Sequence, residues 1–171
     1  KENEKLRKLM NESFDSNEII AKVLIDKKSP FLKSVILNKG SRDNVKIGMA
    51  IIDESYLVGK IIEVNYTNSR ALLLTDLNSK IPVILEPLGV QAIASGIGKD
   101  YGKIQYSKEE YKESIKTNEL VVYTSGLGGL FKPGMPVGKI FKSDNSRINY
   151  FSDFTQLEYV KISSYEFEGN N

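Results

Sequence analysis

From residue 19 onward, apolar residues fall in short runs that Gly, Pro, Asn and Asp interrupt. Short runs bounded by turn-forming residues are typical of β-strands, and several of these runs alternate between apolar and polar residues. The pattern predicts strands over residues 19–25, 34–37, 49–52, 57–64, 70–75, 81–85, 90–95, 103–106, 120–124, 137–141 and 157–163. About eleven short strands in one open sheet would expose many unpaired edges, so we expect an all-β fold whose strands close into small barrels.

The first residues of the chain follow a different, helical pattern. Strong helix formers dominate residues 1–15, and Leu6, Leu9 and Met10 fall on one stripe among charged residues. This pattern predicts a short N-terminal α-helix, a coiled-coil stub at most. Leu6 and Leu9 fit neighbouring heptad positions, but a coiled coil is established only by about three or four heptads. Self-association through Leu6, Leu9 and Met10 and a solvated lead-in to the barrels both remain open.

One short helical interruption is predicted within the strand region. Ser107 followed by Glu110 resembles a helix capping box, which predicts a helical turn. Tyr111 and Ile115, four residues apart, would share one face of that turn. One or two helical turns leave the all-β class unchanged.

A weak internal echo favours two similar units. The motif Lys46-Ile47-Gly48-Met49, together with Leu57-Val58-Gly59-Lys60-Ile61, recurs in compressed form within residues 132–140. Each copy has the pattern of a Gly turn that leads into a strand, with a second Gly at a bulge or barrel corner. We therefore expect the helix at residues 1–15, a first barrel at 16–88 and a second barrel at 89–171, with residues 86–89 as the crossover.

Length and composition agree with a globular protein of one ordinary domain or two small ones. The chain has 171 residues, of which 40% are hydrophobic and 27% charged. The 24 Lys and Arg and the 22 Asp and Glu give a net charge of +2, which is no sign of a polyanion-binding protein. No apolar run approaches the roughly 18 residues of a membrane span. Because the chain begins with Lys rather than Met, we expect it to be part of a longer protein, so the absence of an anchor or targeting segment here is uninformative.

Histidine and cysteine are both absent, which removes most catalytic and metal-binding arrangements. Ser-His-Asp and Cys-His systems, zinc sites built on imidazole or thiolate, and disulfides are all excluded. Ser125-Gly126 suggests a serine nucleophile, but no Ser-x-x-Lys spacing supplies a lysine base. The Gly-rich stretch after it lacks the spacing and the helix of a phosphate loop, since residues 134–139 read G-x-x-x-G-K. We predict no catalytic residue, no metal site and no cofactor.

Nucleic-acid binding is the alternative function that the residues leave open. Small OB-like barrels bind single-stranded nucleic acid when aromatic and basic side chains share one face. The chain has nine Tyr and seven Phe, but these are spread among apolar residues and the charges are nearly balanced. Core or protein-interface roles for the rings are therefore favoured over base stacking.

A series of motifs covers most of the chain in a fixed order. The first half contains Glu2-Asn3-Glu4-Lys5-Leu6-Arg7-Lys8-Leu9, Ala21-Lys22-Val23, Lys39-Gly40-Ser41, Gly48-Met49-Ala50, Leu57-Val58-Gly59-Lys60, Asn68-Ser69, Leu74-Thr75-Asp76-Leu77-Asn78-Ser79 and Ile81-Pro82-Val83. The second half contains Gly96-Ile97-Gly98, Val121-Val122-Tyr123-Thr124-Ser125-Gly126-Leu127-Gly128-Gly129-Leu130-Phe131 and Pro133-Gly134-Met135-Pro136-Val137-Gly138. Ordered agreement of this many segments is specific. Together they resemble the extracytoplasmic part of the rod shape-determining protein MreC family.

The resemblance implies two small β-barrels behind an N-terminal helix that emerges from a single membrane span outside this chain. It leaves open a return of the last strands to the first barrel. The family motifs place structural turns and corners, rather than reactive groups, at Gly40, Gly48, Gly59, Asp76, Ser125, Gly126, Gly129, Pro133, Gly134 and Gly138.

The resemblance also implies a function. MreC-like proteins are non-enzymatic scaffolds of the cell-elongation machinery on the extracytoplasmic (periplasmic) face of the bacterial inner membrane. The implied partners are a second copy of the chain, a class B penicillin-binding transpeptidase, and MreD with other cell-shape proteins, with no nucleic acid among them. Docking would use strand edges, turn loops and apolar patches of the barrels.

Overall fold

A computed structural model of the chain describes residues 18–24, 34–115 and 118–164. These residues form twelve β-strands and three short 3₁₀ helices. The strands are β1 (Glu18–Leu24), β2 (Ser34–Leu37), β3 (Ala50–Asp53), β4 (Tyr56–Val64), β5 (Ser69–Leu73), β6 (Lys80–Glu86), β7 (Val90–Gly96), β8 (Tyr101–Ser107), β9 (Glu119–Thr124), β10 (Pro136–Phe141), β11 (Asp144–Tyr150) and β12 (Tyr159–Ser163). The 3₁₀ helices span Ser41–Asp43, Lys112–Ser114 and Leu127–Gly129.

The strands close into two six-stranded antiparallel barrels, which confirms the predicted all-β fold with two small barrels. Around the first barrel the order is β1, β12, β3, β4, β5 and β2, and around the second it is β10, β11, β8, β7, β6 and β9. Register shifts interrupt several ladders, for example between Ile51 and Ile52 where β3 pairs with β4. Such bulges bend the strands, which small barrels need in order to close.

The division of the chain between the barrels differs from the expected boundary at residue 88. β6 belongs to the second barrel, where Leu85 pairs with Val90 of β7. Residues 86–89 therefore form the tight turn of a hairpin, in which the Gly89 N–H donates to the Leu85 carbonyl at 2.8 Å, and not a crossover. The chain crosses to the second barrel earlier, between β5 and β6. It crosses back before β12, which lies between β1 and β3 of the first barrel.

Two local elements differ from the sequence pattern. β11 was not predicted, because Ile148 is the only one of its seven residues that is buried, so its apolar signal is weak. The helical turn predicted after Ser107 is the 3₁₀ helix Lys112–Ser114, which holds Tyr111 and Ile115 in the core. The predicted helix at residues 1–15, with Leu6, Leu9 and Met10, lies outside the described residues.

Each barrel encloses its own core, and the two cores touch. The first core contains Ile51 and Ile61, and the second contains Leu85 and Ile140, all fully buried. Ala50 and Leu57 come from strands of the first barrel but pack into the core of the second. Phe154 packs against both cores. The barrels are therefore joined by shared apolar packing and not only by the chain connections.

Candidate interaction surface

A partly buried tyrosine links the two barrels at their junction. Tyr150, at the end of β11, donates its hydroxyl hydrogen to the Leu74 carbonyl at 3.0 Å, across the junction. Its ring meets the Phe154 ring edge to face, with centroids 5.3 Å apart, and lies over Gly102, where a side chain would have no room. Burial raises the pKa of Tyr150 above its ordinary value, so the hydroxyl stays protonated and remains a donor.

A second ring pair and a backbone hydrogen bond support the same junction. Tyr56 of the first barrel stacks on Phe151, which follows β11, with ring centroids 5.0 Å apart. The Gly98 N–H, between β7 and β8, donates to the Thr75 carbonyl at 2.8 Å. Aromatic pairs of this geometry favour one relative orientation over others. The two barrels therefore present their outer loops in a fixed arrangement.

The loop between β9 and β10, residues 125–134, is held closely against the second barrel; we call it the glycine loop. Thr124 donates its hydroxyl hydrogen to the Lys132 carbonyl at 2.6 Å and accepts the Met135 N–H at 2.9 Å. Phe131 is buried in the core and anchors the loop from below. Gly126 has φ +80° and lies against the Pro133 ring, a conformation and a fit that disfavour any side chain.

The glycine loop exposes two leucines although its backbone is fixed. Leu127 and Leu130 are each 50% exposed. Exposed apolar side chains on an ordered loop lose little conformational entropy when a partner covers them, which favours binding. A rigid display of this kind is a physical sign of an interaction surface.

A second turn displays an apolar side chain beside the glycine loop. Residues 46–49 lead into β3, and Gly48 has φ +94° and donates its N–H to the Ile61 carbonyl at 2.8 Å. The turn leaves Ile47 70% exposed. Ile47 and Leu130 come from different barrels and line the same cavity of about 760 Å³, which we call the junction cleft.

The walls of the junction cleft are both apolar and charged. Ile19 and Met49 add apolar surface, and Glu18, Asp43 and Lys46 add charge. The Glu18 carboxylate lies 3.7 Å from the Lys161 ammonium, in the wall that β1 and β12 form. A cleft of this volume and composition is suited to a peptide segment that brings a few apolar side chains.

A second cavity of about 530 Å³ lies between the barrels but has a different character. Its lining joins Thr75 and Ser152 with Tyr101 and Arg147. The Arg147 guanidinium stacks on the Tyr101 ring at 3.5 Å and pairs with Asp144 at 3.4 Å. Apolar and aromatic side chains such as Leu73, Tyr150 and Phe154 also line this cavity, but Tyr150 and Phe154 already pack at the junction and the cation already has partners. Ile47 in the junction cleft is instead 70% exposed, which makes that cleft the stronger candidate for protein contact.

The family-motif residues singled out from the sequence lie in turns and loops, inside two strands and in the glycine loop. Gly40 precedes the helix Ser41–Asp43, and Gly59 and Gly138 lie inside β4 and β10. In the turn before β6, the Asp76 carboxylate accepts the Asn78 N–H at 2.7 Å. The glycine loop contains five others: Ser125, Gly126, Gly129, Pro133 and Gly134. Gly48 is the turn residue beside Ile47.

Sequence reasoning missed the apolar side chains that these turns display. Ile47 and Leu130 each stand next to a glycine inside a predicted turn, which is the only local signal they give. Tyr150 and Phe154 carry no signal of a junction at all.

In the described ranges, no group of three or more Asp and Glu residues could hold a metal ion, and no helix is long and apolar enough to cross a membrane.

Comparison with known proteins identifies relatives over most of the chain. The family model described as "Rod shape-determining protein MreC, barrel core" matches residues 23–164. The cell shape-determining protein MreC of Cereibacter sphaeroides is 36% identical over 149 residues, which cover 85% of this chain and 49% of that protein. The MreC of Haemophilus influenzae is 35% identical over 153 residues, which cover 88% of this chain and 43% of that protein. The chain thus spans about half the length of these relatives.

Solved structures share the two-barrel fold. An MreC structure superimposes with a TM-score of 0.81 at 28% identity and covers 95% of this chain and 97% of that one. The major periplasmic domain from the cell shape-determining filament MreC superimposes with a TM-score of 0.71 at 20% identity and covers 85% of this chain and 94% of that one. A chain in the complex between Penicillin-Binding Protein (PBP2) and MreC from Helicobacter pylori superimposes with a TM-score of 0.60 at 14% identity and covers 87% of this chain and 100% of that one. At these identities, the periplasmic domain and the chain from the complex show similarity of fold alone. With the family match over residues 23–164, the two closed barrels and the return of β12 to the first of them, this chain belongs to the MreC family.

Proposed function

We propose that this chain is the barrel part of a non-enzymatic scaffold of the bacterial cell-elongation machinery, which holds cell-wall synthesis proteins together and so maintains cell shape. The observation that carries the proposal is a fixed junction between two barrels that display apolar side chains on ordered loops. A scaffold needs surfaces whose relative positions do not change, and the Tyr150 hydrogen bond and the shared packing at Leu57 supply them. Membership of the MreC family supports the same function.

The proposed partner is a class B penicillin-binding transpeptidase. An MreC from Helicobacter pylori has been solved in complex with the penicillin-binding protein PBP2, and its fold is similar to that of this chain. We place the contact at the glycine loop, where Leu127 is exposed and donates its N–H to the Ser125 hydroxyl at 3.3 Å, while Thr124 holds the loop at the Lys132 carbonyl. An apolar side chain on a fixed loop can fill a pocket of the partner without a large entropic cost.

Several further properties belong to the proposal because the family implies them. The chain would associate with a second copy through Leu6, Leu9 and Met10, and a relative of the same fold is described as a filament. It would lie on the periplasmic face of the inner membrane, attached through an N-terminal span outside this chain, with MreD as a further partner. The transpeptidase contact tests the proposal most directly, since it requires only the barrels.

The experiment is a pull-down of the purified transpeptidase by this chain and by two matched variants. Leu127→Ser removes the proposed anchor, and Leu77→Ser removes a side chain that is 67% exposed in the turn before β6. We expect retention by the parent chain and by Leu77→Ser, and at least a tenfold loss for Leu127→Ser. Equal retention of both variants would remove Leu127 from the contact, and no retention of the parent chain would reject this partner.

An oligonucleotide arm separates the scaffold from the alternative function. Binding of single-stranded nucleic acid would weaken steeply as salt is raised, because phosphate contacts release counterions. The scaffold proposal expects no retention of a single-stranded oligonucleotide even at low salt. Salt-dependent retention would favour the nucleic-acid-binding function instead.

A further inference from the structure

We propose that the junction cleft is a docking site for an extended segment of a partner protein that carries two apolar side chains and an acidic one. Ile47 and Leu130 are 70% and 50% exposed, and they line one cavity from two barrels. Exposed apolar side chains in a cavity of about 760 Å³ are typical of a binding site. The inference goes beyond the scaffold function, because the proposed transpeptidase contact is at Leu127, which does not line the cleft.

The two apolar side chains stand on backbone that is already ordered. In the turn that carries Ile47, the Met49 carbonyl accepts the Ile61 N–H at 2.9 Å. Leu130 directly precedes Phe131, whose side chain is buried in the core of the second barrel. A partner segment would therefore meet both side chains in place, without a large entropic cost for ordering either loop.

The charges in the cleft walls favour an acidic segment. The Glu18 carboxylate lies 3.7 Å from the Lys161 ammonium, and the Asp43 carboxylate lies 3.8 Å from the Arg42 guanidinium. Lys46 also lines the cleft, but it forms no ion pair with any of the described residues. The two acidic side chains are thus compensated and Lys46 leaves one positive charge in excess. A carboxylate of the partner would be attracted to this charge, and a basic side chain would be repelled.

The neighbouring groups indicate how the segment would be held. Lys46 directly precedes Ile47, so the acidic side chain of the partner should lie close to an apolar one. Ser163 and Ser164, at the end of β12, add hydroxyl groups that can donate to or accept from the backbone of an extended segment. Since both barrels are closed in the described residues, the segment cannot be added as a strand and must be bound through side chains.

The test of the apolar part uses a displayed library of short random peptides, selected on the folded 171-residue chain. Selected peptides are then titrated against Ile47→Ser, Leu130→Ser and the matched control Leu77→Ser, whose side chain is 67% exposed but does not line the cleft. We expect them to share two apolar residues with an Asp or Glu, and to bind both cleft variants at least tenfold more weakly than the control. Failure to enrich any peptide, or equal affinity for the cleft variants and Leu77→Ser, would overturn the proposal.

A charge reversal tests the acidic part separately. One selected peptide is synthesised with its acidic residue and again with Lys in that place, and both peptides are titrated by fluorescence anisotropy. On Lys46→Glu the acidic peptide should bind at least fivefold more weakly, and the Lys peptide should bind more tightly than it binds the parent chain. The control is Lys80→Glu, the same charge change at an exposed position of β6 outside the cleft. Equal effects of Lys46→Glu and Lys80→Glu would contradict the charge complementarity.

Amide chemical-shift changes on the parent chain locate the peptide without any variant, so the test survives a variant that fails to fold. We expect changes at Ile47 and Leu130 and none at Leu77. Changes confined to residues outside the cleft would overturn the proposal.

Two further measurements distinguish other occupants. Sedimentation velocity should give the same oligomeric state for the parent chain and Ile47→Ser, and loss of a dimer in the variant would assign the cleft to a second copy instead. The selected peptide should leave retention of the transpeptidase unchanged, and displacement would make the cleft part of that contact and overturn a separate site. If the transpeptidase is not retained at all, the proposed function fails while the peptide results still decide this inference.

Discussion

Removing one oxygen atom from the junction between the barrels tests whether their arrangement is actively held. Tyr150→Phe keeps the ring, and with it the contacts to Gly102 and Phe154, but deletes the hydroxyl that donates to the Leu74 carbonyl at 3.0 Å. The change therefore isolates one hydrogen bond in a buried place. The Leu74 carbonyl then lacks this donor in a site that water reaches poorly.

The expected loss of stability follows from that geometry. Leaving a buried acceptor without its donor costs about 1–3 kcal/mol. For a chain of 171 residues, each kcal/mol corresponds to a fall in Tm of about 2–4 °C. Because Ala50 and Leu57 of the first barrel pack in the core of the second, we expect the parent chain to unfold in one cooperative transition. In Tyr150→Phe the transition should move to lower temperature and broaden as the barrels become less coupled.

The measurement is thermal and urea unfolding followed by circular dichroism, with Tyr106→Phe as the matched control. Tyr106 is 62% exposed on β8, so loss of its hydroxyl should change the free energy of unfolding by less than about 0.5 kcal/mol. If Tyr150→Phe and Tyr106→Phe unfold at the same midpoint, the Tyr150 hydrogen bond does not hold the barrels together. Apolar packing alone would then hold the junction.

The glycine positions and the raised pKa of Tyr150 can be tested in the same way. Gly59→Val should lower the free energy of unfolding by about 3 kcal/mol, because a Cβ there meets the Leu72 carbonyl and lies 3.2 Å from the Leu73 Cα. The control is Gly89→Ala, which has open space but φ +70° and should lower the free energy of unfolding by only about 1–2 kcal/mol. Equal urea midpoints for the two variants would refute this difference. The raised pKa of partly buried Tyr150 lets the folded chain keep a proton that the unfolded chain loses above about pH 10. Stability should therefore be unaffected by this group below that pH, and above it should fall by up to about 1.4 kcal/mol per pH unit. Urea titrations between pH 9 and 11 should show a shallower fall for Tyr150→Phe, and parallel curves would contradict the assignment.

Local patterns were sufficient for most strands, but not for the assignment of strands to barrels. Alternation and turn residues indicate β6 and β7 separately, and the turn at residues 86–89 is equally compatible with a crossover and with a hairpin. The pairing between the two strands shows that the turn belongs to a hairpin, since Leu85 pairs with Val90 and Ile81 with Ala94 along the whole length of β6 and β7. Pairing of this kind depends on contacts between distant faces of the molecule, which a local pattern does not contain.

The candidate surface was predictable only in part, for a related reason. The glycine loop has a strong local signal, because positive φ at Gly126 and Gly134 requires residues of this type. The junction cleft has no local sequence signal, because it exists only where a turn of the first barrel meets a loop of the second. Ile47 and Leu130 are 83 positions apart in the sequence, and no residue near either of them shows that the two lie close together.

Closure of both barrels also limits how this chain can bind a partner. The resemblance to MreC proteins led us to expect docking at strand edges as well as at loops, but in the described residues both sheets close on themselves, and strand addition needs an unpaired edge. Contact must then come from side chains on loops and from the junction. Such contacts depend on how the barrels are oriented, and a change at Tyr150 should weaken partner binding even though that residue lies at the junction and not on the glycine loop. Binding of the proposed partner, the transpeptidase, by Tyr150→Phe should therefore be reduced relative to Tyr106→Phe when it is measured below the unfolding transition. Equal binding would mean that the contact does not depend on how the barrels are oriented.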